Sequence, residues 1–449
     1  MPQPITGPTR THSGTTLSPP WDAVGDDPEP SPIFPWEPGP RPRRAPSVAL
    51  VSAVDAARTQ FALLAGFHFL FVLVTLGLGP VVAIFQTRWA VTRLDVHEYA
   101  TRFWGQLYLV NYALGIAAGI LLELQFGLHF PGLLDVAGEV FGAPLAVETM
   151  VAFFLESTLL GLWVFGWHQL NRWVHTAVFW LVVITGYASA LAVMVANGFL
   201  RNPVGYELRD GVAYITDATA LVLNPAAILS LGHVLGACLL AGAFVVIGVS
   251  AWHLRRQTGF DELFQRSLRT GVVVGSVGAL LAVGFGFSQF SYFTDGEQSG
   301  QSPVVGVALG FMILGGFTLF LGAFPMLALT IGGALFRLPF RRTLYGFLTA
   351  VLPVPFVLAI LGWLAREIGR QPWVVVGVLR TSDATSAHSA TTVLVSLAVL
   401  VGLIATLAVV DWVLLGRLAR LGPGSPTLGA PPLHAREADE PLTFAEVPR

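Results

Sequence analysis

The chain has 449 residues, of which 54% are apolar and only 12% charged, with a net charge of −2 and a mean hydropathy of +0.68. A soluble domain carries about twice that charged share, so composition excludes a soluble enzyme. Near-neutral charge without a basic tract gives no footing for nucleic acid, and a single cysteine, Cys238, excludes a disulfide framework, a C-x-x-C-H haem attachment and a cysteine zinc site.

Residues 1–50 are rich in Pro, Ser, Thr and Gly, lack an apolar signal core and end in Arg41, Arg43 and Arg44. They read as a disordered extension. From about Ala56 to about Leu418, apolar runs of ~20 residues recur, each long enough to cross a hydrocarbon core ~30 Å thick. Nine spans are predicted, beginning near Ala57, Phe103, Gly142, Thr176, Ile228, Leu268, Pro303, Thr343 and Thr392. The expected fold is therefore an all-α, polytopic membrane helical bundle over 51–422, followed by a disordered tail over 423–449. Basic residues, all of them Arg, concentrate in the odd-numbered connections and after the last span. That bias predicts an outer N-terminus and a cytoplasmic C-terminus.

In chain order, the first span places His68 in G-F-H-F-L-F. A mid-membrane imidazole either bonds to a neighbouring helix or ligates a metal. Glu123 lies near the outer end of the second span, as a third acid of a buried set or as an interfacial carboxylate. The third span carries Glu148 and Glu156, eight residues apart. On a regular helix that is ~12 Å along the axis and ~80° around it. Two carboxylates in one apolar helix are hard to explain by packing and suggest a proton path, the alternative being neutral acids bonded to neighbours. His175, Arg201 and Arg209 lie near span ends or in loops, where solvated anchors are the ordinary reading.

The fifth span holds His233 in S-L-G-H-V-L-G-A, where Gly232, Gly236 and Ala237 clear room for a flat ligand. Met312, in the seventh span, is ordinary core filler unless it partners His233. His/Met axial ligation makes a closed iron suited to electron transfer. The eighth span ends in G-W-L-A-R-E-I-G-R-Q-P-W, with Glu367 and Arg370 at its outer end. Gly115/Gly119, Gly232/Gly236, Gly271/Gly275 and Gly306/Gly310 are small-residue pairs that let helices approach closely. Cys238 reads as a small packing residue.

These residues resemble subunit I of the cytochrome bd quinol oxidases from about Arg58 to Pro423. The resemblance rests on R-T-Q-F-A-L with F-H-F-L-F, R-F-W-G-Q-L-Y, E-L-Q-F-G and the F-G-A-P-L-A to F-G-W block. It continues through A-N-G-F-L-R-N-P-V-G, L-N-P-A, G-R-Q-P-W and R-L-G-P. It implies three haems near the outer face: a low-spin haem b on His233 and Met312, and a high-spin pair, one haem b and one haem d or a third haem b. His68 and Glu367 are the implied iron ligands of that pair, with Arg370 and Trp363 beside the cofactor. Glu148, Glu156 and Glu123 are the implied catalytic acids. Electrons pass from quinol to dioxygen, forming water and a proton gradient without pumping. The implied partner is a homologous membrane subunit II, with room for a small accessory subunit, in a bacterial or archaeal cytoplasmic membrane.

The chain departs from the family between spans six and seven. The connection runs only from about Ser291 to Ser302, and much of the external loop that builds the family's quinol site is missing. Glu297, with Gln298 or Gln301, is the remaining candidate for contact with quinol. A non-quinol electron donor is the alternative within redox chemistry. A cofactor-free transporter on the same scaffold is the alternative outside it, and retention of His68, His233, Met312 and Glu367 together argues against that.

Overall fold

A computed structural model describes residues 52–293 and 302–424. Glu297, Gln298 and Gln301, and the two predicted disordered ends apart from a short C-terminal turn over Gly422–Gly424, lie outside the described residues. Among the described residues, nine helices are long and apolar enough to cross a membrane. They are α1 (Ala53–Thr92), α2 (Asp95–His129), α3 (Pro131–Phe165), α4 (Arg172–Arg201), α5 (Ala218–Arg256), α6 (Asp261–Phe290), α7 (Pro303–Ile331), α8 (Arg341–Gly369) and α9 (Ala390–Gly424).

Local chemistry explains the ends. Ser52, Asn171, Asn224 and Ser389 each accept a backbone N–H in the first turn of α1, α4, the long part of α5 and α9, satisfying donors that no helix can bond internally. Helices α2 and α3 begin well before the predicted Phe103 and Gly142. Asp95 and Glu98 favour the positive end of α2, and Pro131 occupies the first position of α3. Both features start a helix without raising hydropathy. Three helices are interrupted: α5 at Leu223 and Asn224, α8 around Pro353, and α3 by a π turn over Met150–Glu156.

Glycines set the closest approaches. A Cβ on Gly77 of α1 would lie 1.9 Å from the carbonyl oxygen of Cys238, and one on Gly236 would lie 2.3 Å from the Ala282 nitrogen. So α1 crosses α5, and α5 lies along α6, with backbones touching. Cys238 is a buried packing residue, as expected. A Cβ on Gly306 or Gly310 would meet nothing within 4 Å among the described residues, so that pair brings no described helix close. Helices α1, α2 and α9 meet through Leu64, Phe71, Ala118, Ile404 and Ala408. Helices α7 and α9 leave apolar faces open, including Phe311, Leu314, Leu321, Val399 and Val413.

Two small hairpins follow α4 and α8. Strands β1 (Tyr206–Arg209) and β2 (Val212–Ile215) pair antiparallel around Asp210 and Gly211, both at positive φ, as an Asp-Gly turn prefers. Strands β3 (Trp373–Val375) and β4 (Leu379–Arg380) pair likewise. Ala213, Val374, Val375 and Leu379 join Phe130, Phe141 and Phe199 in one apolar cluster.

Candidate functional site

Three potential ligand side chains on three helices each lie against a glycine of a neighbour. His68 on α1 has a buried Nδ1 without a hydrogen-bond partner, and a Cβ on Gly119 of α2 would fall 3.1 Å from its Cε1. His233 on α5 is held by its Nδ1, 2.7 Å from the carbonyl oxygen of Ala282 on α6. With Nδ1–H donating there, Nε2 carries the free lone pair, the arrangement by which backbone carbonyls orient ligating histidines. A Cβ on Gly286 would lie 2.9 Å from that Nδ1. Met312 on α7 is half-buried, and a Cβ on Gly362 of α8 would lie 2.6 Å from its sulfur. These donors, a fixed imidazole, an imidazole with one orphaned nitrogen and a thioether beside missing side chains, fit a flat iron-bearing group.

The C-terminal end of α8 gathers charge. Glu367 is buried, and its Oε2 accepts from Arg370 Nη2 at 2.9 Å. Arg366 donates to Ser230 Oγ of α5 at 3.0 Å and to Asn197 Oδ1 of α4. Arg201 and Arg370 both lie within electrostatic reach of Arg366. Arg370 pairs with Glu367, Arg366 lies within electrostatic reach of the same carboxylate, and Arg201 lies near both arginines, so positive charge gathers at this end of α8. The Nε of Arg370 is buried without a partner. Trp363 donates its indole N–H to the Ala62 carbonyl at 3.0 Å and lies against Gly66. Arg209 is exposed and pairs with Glu207.

The carboxylates of α3 do not follow the regular helix assumed from their spacing, because the π turn ends at Glu156 and re-aims it. Both face α4. Glu148 accepts from Ser189 Oγ at 3.2 Å, and a Cβ on Gly186 would lie 3.2 Å from Glu156 Oε1. Glu156 is buried at 4% exposure and accepts from Tyr108 OH at 3.4 Å. Glu123 is exposed and accepts from Thr149 Oγ1 at 3.0 Å. The three acids thus grade from exposed to buried, each in electrostatic reach of the next. A narrow crevice beside Glu156 is lined by Thr75, Tyr108, Gly186 and Tyr187.

His175 is not a solvated anchor. It is 1% exposed and closes a ring in which Gln86 Nε2 meets its Nδ1 at 3.0 Å, its Nε2 meets the Trp163 carbonyl at 2.7 Å, and Trp163 donates to Gln86 Oε1 at 2.7 Å. Arg201 is likewise half-buried rather than solvated. Sequence reasoning overlooked Arg366 and Tyr108. An arginine within an apolar span was a usable signal for the first; a tyrosine beside a span's middle gives no comparable signal for the second.

The family model for cytochrome bd terminal oxidase subunit I matches residues 56–299 and 286–423, two pieces that overlap at the connection between α6 and α7. The chain is 31% identical over 407 residues to cytochrome bd ubiquinol oxidase subunit 1 of Bacillus subtilis (strain 168), covering 75% of this chain and 86% of that one. It is 40% identical over 226 residues to cytochrome bd-II ubiquinol oxidase subunit 1 of Escherichia coli (strain K12), covering 50% of this chain and 44% of that one. The bd oxidase structure from Geobacillus thermodenitrificans shares the fold, with a TM-score of 0.74 at 21% identity over 83% of this chain and 99% of that one.

Proposed function

The chain belongs to the cytochrome bd terminal oxidase subunit I family, and we propose that it carries electrons from membrane quinol to dioxygen on three haems, alongside a subunit II. The observation that carries this reading is the set of potential ligands placed against glycines, above all His233 with Nδ1 committed to Ala282. Haem, when bound, supplies iron that takes electrons one at a time and binds dioxygen.

His233 and Met312 hold the low-spin haem b. They stand on α5 and α7, which both pack against α6 and α8. His68 and Glu367 serve the high-spin pair, a haem b with a haem d or a third haem b. Arg370 balances the Glu367 carboxylate, while Arg366, with Arg201 near it, would suit propionates at this end of α8. Trp363 fixes the wall between α1 and α8.

Glu156 and Glu148 hold and pass protons toward the site of oxygen reduction, with Glu123 at the exposed end of the series. Tyr108 and Ser189 hold the acceptor oxygens in place. The orientation follows the arginine bias, with protons drawn from the cytoplasm and the N-terminus outside.

Purified complex is expected to contain three haems, and Met312→Ala to lose or shift the low-spin reduced band. An unchanged spectrum removes Met312 from the site. A second reading, a donor other than quinol, is favoured by the short connection between α6 and α7, where the family match divides. Under the quinol reading, Glu297 and Gln298 are the remaining quinol contacts to test. Oxygen consumption with a short-chain quinol against reduced cytochrome c separates the two readings. Fast quinol-driven turnover supports the first, and none at all replaces it with the second.

A further inference from the structure

The last membrane helix contains one acid, Asp411, for which the proposed redox site has no use. It is wholly buried, and both of its carboxylate oxygens lack a hydrogen-bond partner. The nearest cation on its own helix, Arg417, is six residues further on, about 9 Å along the axis.

Helix register locates Asp411. Gln60 of α1 donates to Ser396 of α9 at 3.1 Å and to Gln125 of α2 at 2.8 Å. Further along, Phe71 and Ala408 share one apolar cluster, so α1 and α9 run parallel. Fifteen residues beyond Gln60 and Ser396 stand Thr75 and Asp411. At this depth Asn111 of α2 donates from Nδ2 to Thr75 Oγ1 at 2.7 Å and to the Phe71 carbonyl at 2.9 Å. Its Oδ1 is left buried and unpartnered.

Three orphaned acceptor oxygens, two on Asp411 of α9 and one on Asn111 of α2, therefore lie at the level of Thr75 on α1. Acceptors cannot satisfy one another, and each buried group left without a donor costs about 1–3 kcal/mol. A proton on Asp411 supplies the missing donor. The titratable groups at this depth on the packed elements are Tyr108 and Tyr112 on α2 and Cys238 on α5. None of them is a cation that would balance a carboxylate. The fourth member, Thr75, also lines the crevice beside Glu156.

We propose that Asp411, with Asn111 and Thr75, is a second proton-exchanging site in the membrane, feeding the Glu156 crevice through the Thr75 hydroxyl. At rest the Asp411 O–H donates to Asn111 Oδ1. When the crevice gives up a proton to oxygen reduction, the Thr75 hydroxyl proton replaces it, and the Asp411 O–H bond breaks to restore the hydroxyl. The carboxylate then takes one proton from the cytoplasmic side, so each proton delivered is matched by one taken up. Only the consuming reaction rests on the oxidase reading.

The test uses the complete oxidase complex carrying Asp411→Asn and, separately, Asp411→Glu. Reduced optical spectra report the haems, and redox-difference infrared spectra report protonated carboxyl groups. Asp411→Asn is expected to remove one carboxyl C=O band and lower oxygen turnover about a hundredfold, most at high pH, with the haem spectra unchanged. Asp411→Glu is expected to shift that band and restore turnover. An infrared spectrum unchanged in both variants overturns the proposal, whether turnover is normal or lost. If Asp411→Asn does not assemble, the band shift in Asp411→Glu decides alone. Absence of haem from the unmodified complex would instead overturn the oxidase reading.

Discussion

Three of the four proposed ligands, His68, His233 and Met312, depend on an atom their neighbour lacks. Gly286 leaves the His233 imidazole its place, since a Cβ there would stand 2.9 Å from Nδ1. Gly286→Ala is therefore expected to displace the ring and shift the low-spin reduced band, while Gly284→Ala, with nothing within 4 Å, leaves it intact. Reduced optical spectra of the two variants check this directly. Arg370 has a different role. Removing its guanidinium leaves Glu367 buried and unpaired, a change that costs roughly 3–5 kcal/mol. Arg370→Ala should lower the haem-to-protein ratio of purified complex, and an unaltered ratio would show that another cation suffices. Glu156→Gln keeps the volume and the Tyr108 contact but cannot release a proton. Turnover should fall while the low-spin spectrum stays, and wild-type turnover would make Glu156 a structural acid.

At the scale of single elements, the π turn in α3 carries functional weight. Its extra residue lets Glu148 and Glu156 both address α4, opposite Ser189 and Gly186. Deleting Leu155, which is 47% exposed, should return the segment to regular helix with the two carboxylates seven residues and only about 20° apart, so that both still address α4. Oxygen turnover with haems retained is expected, and loss of turnover would show that the wide turn itself is needed. The β1–β2 hairpin makes a contrasting case. Gly211 has φ +82°, where a side chain costs roughly 1–2 kcal/mol. Gly211→Val should lower thermal stability and leave the haem spectra unchanged, as a scanning melt followed at the haem band would record.

Across the whole molecule, the site depends on where helices cross. Gly77 meets the α5 backbone so closely that no side chain fits without moving one helix. That crossing sets the depth of α1 against α5, and with it the relation of His68 to His233. Gly77→Val should yield no haem-loaded complex, whereas Gly306→Ala, in open space on α7, should assemble normally. Equal yields would remove the crossing from the list of constraints.

The nine helices among the described residues and the buried polar candidates were legible in the sequence for one physical reason. A span in hydrocarbon must satisfy its own backbone, so an apolar run of sufficient length can only be a helix, and a His or Glu inside such a run stands out at once; Met312, core filler by itself, enters only as a partner for His233. The polar beginnings of α2 and α3 escaped, because Asp95, Glu98 and Pro131 start helices without adding hydropathy. What no single span could reveal is convergence. Arg366 with Arg201 and Arg370, His175 within its ring of Gln86 and Trp163, and Asp411 level with Asn111 and Thr75 come together from helices far apart in the chain. Their meeting is set by axial offsets between helices, fixed by backbone crossings such as Gly77 on Cys238 and by local insertions such as the π turn of α3. Hydropathy reports whether a residue lies in the membrane. Its depth and its neighbours belong to packing, which only the tertiary structure decides.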